Sequence, residues 1–532
     1  MLISLIAWTY LSIICLIWGH MFLWVTRAVG NDDPPLHPAL LCLTGLAVIS
    51  TLALGLSILT PLDWKTHLLL ILGVILHLLQ KQKREGIQKT LAILFQDYSP
   101  LQFGLLAICI AMVLVISIYP ITHPDTLHYH ARSILLLQRY TTIPGIANLQ
   151  TELGLQSGWF AALAIFNPGN AYHLIFLNGA VLCWFFSYTI STWNRTWIGW
   201  VLLTYTLFSW VQVRLTAASP SPDFIVTLYA WTAIYAWLKS DDDGINQKLY
   251  PSLTVLFSLA AVLAKASAIL FLVPATLAYI RNIRKPTRLL LYSLVALLIL
   301  FIKNAIASGY ILYPSSFPDL FSFSWKMPPD KLRAFRQYIS QYATIPFTGS
   351  VYPLHLSWAQ RVRGWWAHIE PTDRLLLVSI LTGIVIHIIW LIRRGRKSPL
   401  FTGHRYTIAL AFSLTGSLMW IFNAPSPRFG TGFLVPLLYL LFYLLPQPLS
   451  KPTRLLTLVI GYCLFIIVSG YTIYRCIYFP ITAHLITPAG IDPSGYEPIS
   501  YEGIRVDFLH DRIDTPDGLR TGQSIRQGFR PR

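Results

Sequence analysis

The sequence predicts an all-α polytopic membrane protein with about 14 transmembrane helices (12 to 16), since one span needs about 20 apolar residues. Three observations carry this prediction. Of the 532 residues, 55% are hydrophobic and only 12% are charged, well below the roughly 25% typical of soluble domains. Apolar runs of span length recur along the chain, and the basic residues cluster between them. An ordinary soluble enzyme is therefore excluded.

The apolar runs place the spans in order. No charge precedes Arg27, so we interpret the first run as a retained span and not as a cleaved signal peptide. We expect 249–280 to form a helical hairpin that turns near Lys265, and 155–166 to be a short re-entrant or interfacial piece. The predicted spans are 2–26, 37–60, 64–80, 101–119, 171–192, 196–213, 224–239, 249–264, 266–280, 288–306, 373–392, 405–422, 429–446 and 454–478.

The net charge of +18 needs no nucleic-acid partner, because basic residues in short loops set the orientation of membrane proteins. The clusters at 81–84, 281–288, 393–397 and 451–454 are predicted to face the cytoplasm. Residues 1–478 then form a transmembrane domain, and residues 479–532 form an outward-facing soluble tail, which is small and loop-rich with short strands. The other outward segments are predicted to be 120–170, 214–223, 307–372 and 423–428.

Few carboxylates remain on the predicted outward face, and Asp125 is the most suggestive of them. It directly follows a span, within a segment of eight residues that also contains three histidines. Residues 125–140 have the pattern of an amphipathic helix lying in the outer interface. Asp125, His128 and Arg132, at i, i+3 and i+7, are predicted to share one face of that helix. The alternative is that Asp125 only favours a helix N-terminus.

A carboxylate beside a base and a guanidinium suits the handling of a lipid phosphate. Arg binds phosphate oxygens, and the carboxylate can accept a proton from an attacking hydroxyl. We therefore predict Asp125 and His128 as catalytic residues. The phosphate-binding residues are predicted to be His130, Arg132, Lys265, Lys303 and Arg428.

Charged residues within or at the ends of spans are costly and by default indicate function. We expect Arg428 and either Lys265 or Lys303 to approach the cavity beside Asp125. The alternative is that these cations extend to the headgroups. Asp223, at the start of its span, is interpreted as a helix cap.

Asp125, His128 and His130 are residue types that can coordinate a metal ion. However, His residues at i and i+2 on a helix point apart, which disfavours zinc-type coordination. The sequence therefore assigns no cofactor, and a divalent metal remains an alternative.

Short sequence patterns resemble the GT-C superfamily of polytopic membrane glycosyltransferases, and more narrowly a bacterial membrane-protein family within or near it. The resemblance covers about residues 100–450. One difference is that the GT-C carboxylate usually follows the first span, whereas about three spans precede Asp125. The matching residues are His123-Pro124-Asp125, Tyr129-His130, Pro144-Gly145, Asn148-Leu149, Ser157-Gly158-Trp159-Phe160 and Pro427-Arg428-Phe429-Gly430.

The resemblance implies transfer of a sugar from a polyprenyl-phosphate-type lipid donor to a lipid, glycan or protein acceptor. It places Asp125 as base or metal ligand, at the outer face of the bacterial inner membrane. The expected partners are the lipid-linked sugar donor and membrane lipids. The alternatives are a polysaccharide polymerase or ligase, a transporter or flippase of a lipid-linked or anionic substrate, and a non-catalytic GT-C-like subunit of a membrane assembly.

Overall fold

The structure is a computed structural model that describes most of the chain. The predicted spans 196–213 and 454–478, and most of the predicted tail, lie outside the described residues. The described residues are 1–30, 33–96, 98–118, 123, 125–167, 176–192, 216–240, 246–282, 287–342, 357–394, 404–443, 499–501, 504–507, 512–515 and 518–521.

The N-terminal part of the chain forms five helices, several of which begin with side-chain caps. They are α1 (Leu2–Val25), α2 (Pro38–Leu59), α3 (Trp64–Leu78), α4 (Lys81–Gln96) and α5 (Pro100–Ser117). The Asp63 carboxylate accepts the Lys65 N–H at 2.9 Å. Ser99 and Gln102 form a capping box at the start of α5. These caps satisfy N–H groups that the first turn of a helix leaves unpaired.

A π-helical turn, Thr126–His130, follows Asp125 and continues directly into α6 (Ala131–Arg139). Residues 125–139 are thus helical, one residue short of the predicted 125–140, and their first turn is wider than an α-turn. The chain then forms α7 (Ile146–Leu149), a 3-10 turn (Thr151–Gly154), α8 (Gly158–Phe166) and α9 (Leu177–Thr192).

The rest of the described chain is helical up to residue 443 and ends in a small sheet. The helices are α10 (Asp223–Lys239), α11 (Asn246–Ala264), α12 (Leu272–Asn282), α13 (Thr287–Ser308), α14 (Pro329–Tyr342), α15 (Trp358–His368), α16 (Pro371–Arg394), α17 (His404–Asn423) and α18 (Pro427–Tyr443). Four strands, β1 (Ile499–Tyr501), β2 (Ile504–Asp507), β3 (Arg512–Thr515) and β4 (Gly518–Thr521), pair in order as an antiparallel meander.

Six helices in the described part of the chain are long and apolar enough to cross a membrane. They are α1, α2, α5 and α17 and most of α13 and α16. Shorter apolar helices include α3 and α18. Large apolar side chains lie on the outer surface of the bundle, for example Leu72 of α3 and Leu375 of α16, which are 51% and 64% exposed. A membrane-embedded protein accounts for this surface, because lipid covers it.

Helices α1 and α2 pack with their backbones in direct contact. A Cβ on Gly45 would lie 1.8 Å from the carbonyl oxygen of Cys15, and one on Gly19 would lie 2.0 Å from that of Leu41. Small residues at such positions let two membrane helices approach closely. This pair forms one side of the core, against which α8, α9 and α11 pack.

The bundle has two ends that matter for function. We call the upper end the one where α10 and α18 begin and α11 ends. The expected hairpin is present, with α11 ending before Lys265 and α12 packing back along it. At the lower end, Arg288 near the start of α13 donates to the carbonyl oxygen of Val25 at the end of α1, at 2.7 Å.

Candidate functional site

A charged cluster occupies the upper end, formed by residues at the ends of separate elements. We define it as His123, Asp125, Asp223, Lys265 and Arg428. Asp125 precedes the π-helical turn, and Asp223 is the first residue of α10. Lys265 follows α11, and Arg428 is the second residue of α18. Helix packing therefore brings together side chains that are up to 305 residues apart in sequence.

The Arg428 guanidinium joins the two carboxylates of the cluster. Its Nη2 donates to Asp125 Oδ2 at 3.0 Å, and its Nε lies 3.6 Å from Asp223 Oδ2. The guanidinium carbon also lies 4.8 Å from the centroid of the Phe429 ring. Contacts on several sides fix the plane of the guanidinium, as its forked geometry allows.

The Asp223–Lys265 pair completes the cluster. Lys265 Nζ donates to Asp223 Oδ1 at 2.5 Å and lies 3.7 Å from the centroid of the Phe429 ring. The interpretation of Asp223 as a helix cap is wrong, because Pro222 is the cap residue of α10 and makes no side-chain cap bond. Asp223 instead holds both cations of the cluster in place.

His123 lies against the first ion pair. The backbone nitrogen of Asp125 lies 3.2 Å from His123 Nδ1, and Arg428 Nη1 lies 3.1 Å from His123 Nε2. Burial, and then the Arg428 charge, lower the pKa of His123, although Asp125 and Asp223 act in the opposite direction. A guanidinium can only donate, so Nε2 is the unprotonated ring nitrogen, and a proton added there would face the Arg428 charge. His123 is therefore a neutral part of the site near neutral pH.

His130 lies behind the cluster and is almost completely buried. Its ring is 1% exposed and packs against His123, Tyr129 and Phe160, with centroid distances of 5.3, 4.3 and 5.1 Å. Burial and then the neighbouring His123 lower the pKa of His130. In this position His130 supports the His123 ring, and its phosphate-binding role stays a prediction.

His128 and Arg132 meet a different partner from that of Asp125. The side chain of Gln150 lies 3.3 Å from His128 Nε2 and accepts a hydrogen bond from Arg132 Nη1 at 3.2 Å. His128 also lies 3.5 Å from Glu152 Oε1. Burial raises the pKa of Glu152, but hydrogen bonding, first from His128, lowers it overall. The expected common face is divided, because the π-helical turn changes the rotation between Asp125 and Arg132.

Lys303 does not join the cluster. It is fully buried in α13, and its Nζ donates to Ser57 Oγ of α2 at 2.6 Å. Of the two predicted lysines, Lys265 is thus the one that the structure brings to Arg428. Lys303 instead links the upper ends of α2 and α13.

A cleft of roughly 350 Å³ adjoins the cluster. Its polar side is formed by Asp223, Lys265 and Arg428, and its apolar side includes Phe271, Phe429 and Phe433. Asp125 lies next to this cleft through its bond to Arg428. The arrangement fits an amphiphile, because a polar group can reach the cations while an apolar chain contacts the rings.

The carboxylates of the cluster are arranged for ion pairing. Among the described residues, no group of three or more His, Cys, Asp or Glu side chains is arranged to hold a metal ion. Each cluster carboxylate instead contacts a cation, Asp125 through Arg428 and Asp223 through Lys265. The cluster therefore resembles an ion-pair network more than a coordination shell.

Comparison with known proteins gives one family. The family described as "Domain of unknown function (DUF8201)" matches residues 1–435. The chain belongs to this family. All five residues of the charged cluster fall within the matched region, whereas the four-stranded sheet lies beyond it. No curated protein and no solved structure matches the chain.

Proposed function

We propose that the protein is a membrane glycosyltransferase of GT-C type. It would transfer a sugar from a polyprenyl-phosphate-type lipid donor to a lipid, glycan or protein acceptor. The observation that carries this proposal is the single guanidinium of Arg428 that contacts Asp125 at 3.0 Å and Asp223 at 3.6 Å. A base and a phosphate-directed cation are thereby held together next to an amphiphilic cleft.

Asp125 is the proposed general base. Its Oδ2 accepts from Arg428, and among the described residues Oδ1 has no hydrogen bond. The acceptor hydroxyl would give its proton to Asp125 as its oxygen forms a bond to the anomeric carbon. The bond from that carbon to the phosphate oxygen breaks, and the lipid phosphate leaves with the bonding electrons. Arg428 orients the base through the fixed contact.

Lys265 and Arg428 are the proposed phosphate-binding pair. Both line the cleft and both lie over the Phe429 ring. The charges of Asp125 and Asp223 already balance these cations, so the leaving phosphate must compete with Asp223 for Lys265. We propose that this competition limits how tightly the lipid phosphate product is held, because a cation with a resident counterion binds a new anion less strongly.

The proposed topology has 14 spans. Besides the six long helices, it counts α3, α9, α10, α11, α12 and α18 and the two apolar runs outside the described residues. The proposed orientation, in the bacterial inner membrane with the cluster facing outward, is supported by basic residues at the lower end. Arg281 there contacts His404, and Arg288 contacts the end of α1. Positive charge resists translocation, which favours a cytoplasmic position for this end.

The test is turnover of purified protein with polyprenyl-phosphate sugars and a radiolabelled sugar. Asp125→Asn keeps the size of the side chain and removes its basicity, so turnover should fall by about 10² to 10⁴. The matched control is Asp330→Asn on α14, where the carboxylate is 91% exposed and pairs only with its helix neighbour Arg333 among the described residues. This control should keep wild-type turnover.

Wild-type turnover of Asp125→Asn would contradict the assignment of the base. Failure of wild-type protein with every sugar donor, together with uptake or flipping of the lipid in vesicles, would favour the transporter function. His128→Ala should reduce turnover less than Asp125→Asn, because His128 contacts Gln150 and Glu152 and not Arg428.

A further inference from the structure

A second cleft lies at the lower end of the bundle, away from the charged cluster. Its empty volume is roughly 550 Å³. It lies between the end of α1, the segment that follows α1, and α4. Its lining includes His20, Trp24, Asp33, Lys83, Lys89 and Thr90.

Lys83 is buried in the wall of this cleft and has no counterion among the described residues. The residue is 8% exposed, and its Nζ lies 3.8 Å from the centroid of the Trp24 ring. In the described part of the chain, no carboxylate lies within ion-pair distance of Lys83 or Lys89. Lys81 on the same helix, by contrast, pairs with Glu85 at 3.9 Å. A buried ammonium without a counterion is costly, which indicates that an anion supplies the missing charge.

A histidine pair orients a further donor toward the cleft. His20 Nδ1 lies 2.9 Å from His77 Nε2, and His77 is 2% exposed with no described partner at Nδ1. When His77 Nε2–H donates, the single proton of neutral His20 is on Nε2. That nitrogen lies beside Gly86, where an added Cβ would be 2.8 Å away. His20 can then donate a hydrogen bond to a ligand next to Lys83.

One carboxylate among the described residues lines the cleft, and it is already engaged. Asp33 Oδ2 accepts the N–H of Gly30 at 2.6 Å. The two lysines therefore leave a positive balance. The floor of the cleft is apolar and includes Leu23, Leu36 and Leu41. Cationic walls above an apolar floor fit a phosphate group that is carried on an apolar body.

We propose that the lower cleft is an anion-binding site for a phosphate ester, with Lys83, Lys89 and His20 as its donors. Helix α4 connects the lower end of α3 to α5 and buries Lys83, Ile87 and Thr90 while its other face is exposed. Such an amphipathic helix lies at headgroup depth. An anionic phospholipid can therefore reach the cleft, and a soluble phosphate ester offers the same chemistry.

The experiment uses full-length protein in neutral detergent and native mass spectrometry. Phosphatidylglycerol and phosphatidylcholine with identical acyl chains are titrated separately, and inorganic phosphate is added as a competitor. We expect the wild-type protein to bind phosphatidylglycerol at least about tenfold more tightly, since a charge-assisted contact contributes about that factor. Lys83→Met and Lys89→Gln should each reduce this binding about tenfold.

The controls separate the site from general surface charge. Lys81→Gln removes an exposed charge from the same helix and should leave binding within about twofold of wild type. Lys83→Arg should retain binding. Because Lys89 is exposed, Lys89→Gln decides the matter if Lys83→Met fails to fold.

Three outcomes are informative. Preference for phosphatidylglycerol that the lysine variants lose supports the site with a lipid as its source. Binding of inorganic phosphate without any lipid preference, again lost in the variants, supports the site with a soluble ester as its source. Equal binding of both lipids and no binding of phosphate, or unchanged binding in both lysine variants, overturns the proposal.

Discussion

The Asp125–Arg428 contact should contribute measurably to stability as well as to chemistry. Arg428 makes polar contacts at 3.0 Å to Asp125, 3.1 Å to His123 and 3.6 Å to Asp223. Removing one partner of a fully buried pair costs about 3 to 5 kcal/mol. The two side chains here are 18% and 22% exposed, so the cost should be at or below the lower end of that range. We expect Arg428→Gln to lower the free energy of unfolding by about 2 to 3 kcal/mol.

A double-mutant cycle isolates the pair from the rest of the cluster. Arg428→Gln, Asp125→Asn and the double variant are unfolded by increasing detergent denaturant in mixed micelles, with circular dichroism as the signal. We expect a coupling energy of about 1 to 3 kcal/mol. The matched cycle uses Asp330 and Arg333, an exposed pair at 3.5 Å, for which coupling should be below about 0.5 kcal/mol. Equal coupling in the two cycles would refute the reasoning.

Three further predictions concern stability. Lowering the pH from about 7.5 to about 5.5 should lower the melting temperature. In the unfolded chain His123 is protonated near pH 6.5, whereas its lowered pKa in the folded protein disfavours protonation, so acid favours the unfolded chain. His123→Gln should flatten this dependence. Gly45→Ala should cost about 1 to 3 kcal/mol in the same unfolding assay by forcing α1 and α2 apart, whereas Gly104→Ala, with no atom within 4 Å, should not. Lys303→Met should leave the melting temperature unchanged or raise it, because among the described residues the buried ammonium has no carboxylate partner; a drop of several degrees would contradict this.

Composition and run length were sufficient to predict the membrane helices. Each of the six long helices coincides with a predicted span within a few residues, because burial in lipid requires continuous apolar sequence. The hairpin at Lys265 was also predictable, because only a turn there places the basic cluster at 281–288 on the same side as the other basic clusters. The number of spans stays a prediction, because two apolar runs lie outside the described residues.

The charged cluster was predictable only in part. Scarcity of charge singled out Asp125, Lys265 and Arg428, and the structure brings them together. Asp223 was interpreted as a cap because a carboxylate at the first turn of a helix has that use by default. The sequence signal that could have identified Asp223 as a site residue was its position beside the short outward segment that precedes α10. The sequence could not show which of Lys265 and Lys303 approaches Arg428. The packing of the helices decides which side chains meet, and it cannot be derived from the sequence pattern.

The π-helical turn at Thr126–His130 makes the length of this segment part of the site. A π-turn holds one residue more than an α-turn, so removing one residue would convert it to regular α-winding and shift Asp125 relative to α6. Arg428 is fixed on another helix and could not follow. Substitutions at exposed positions of the turn can be tolerated, but a single-residue deletion would separate Asp125 from Arg428. Insertions and deletions in this turn should therefore disrupt the Asp125–Arg428 contact more than most point mutations do.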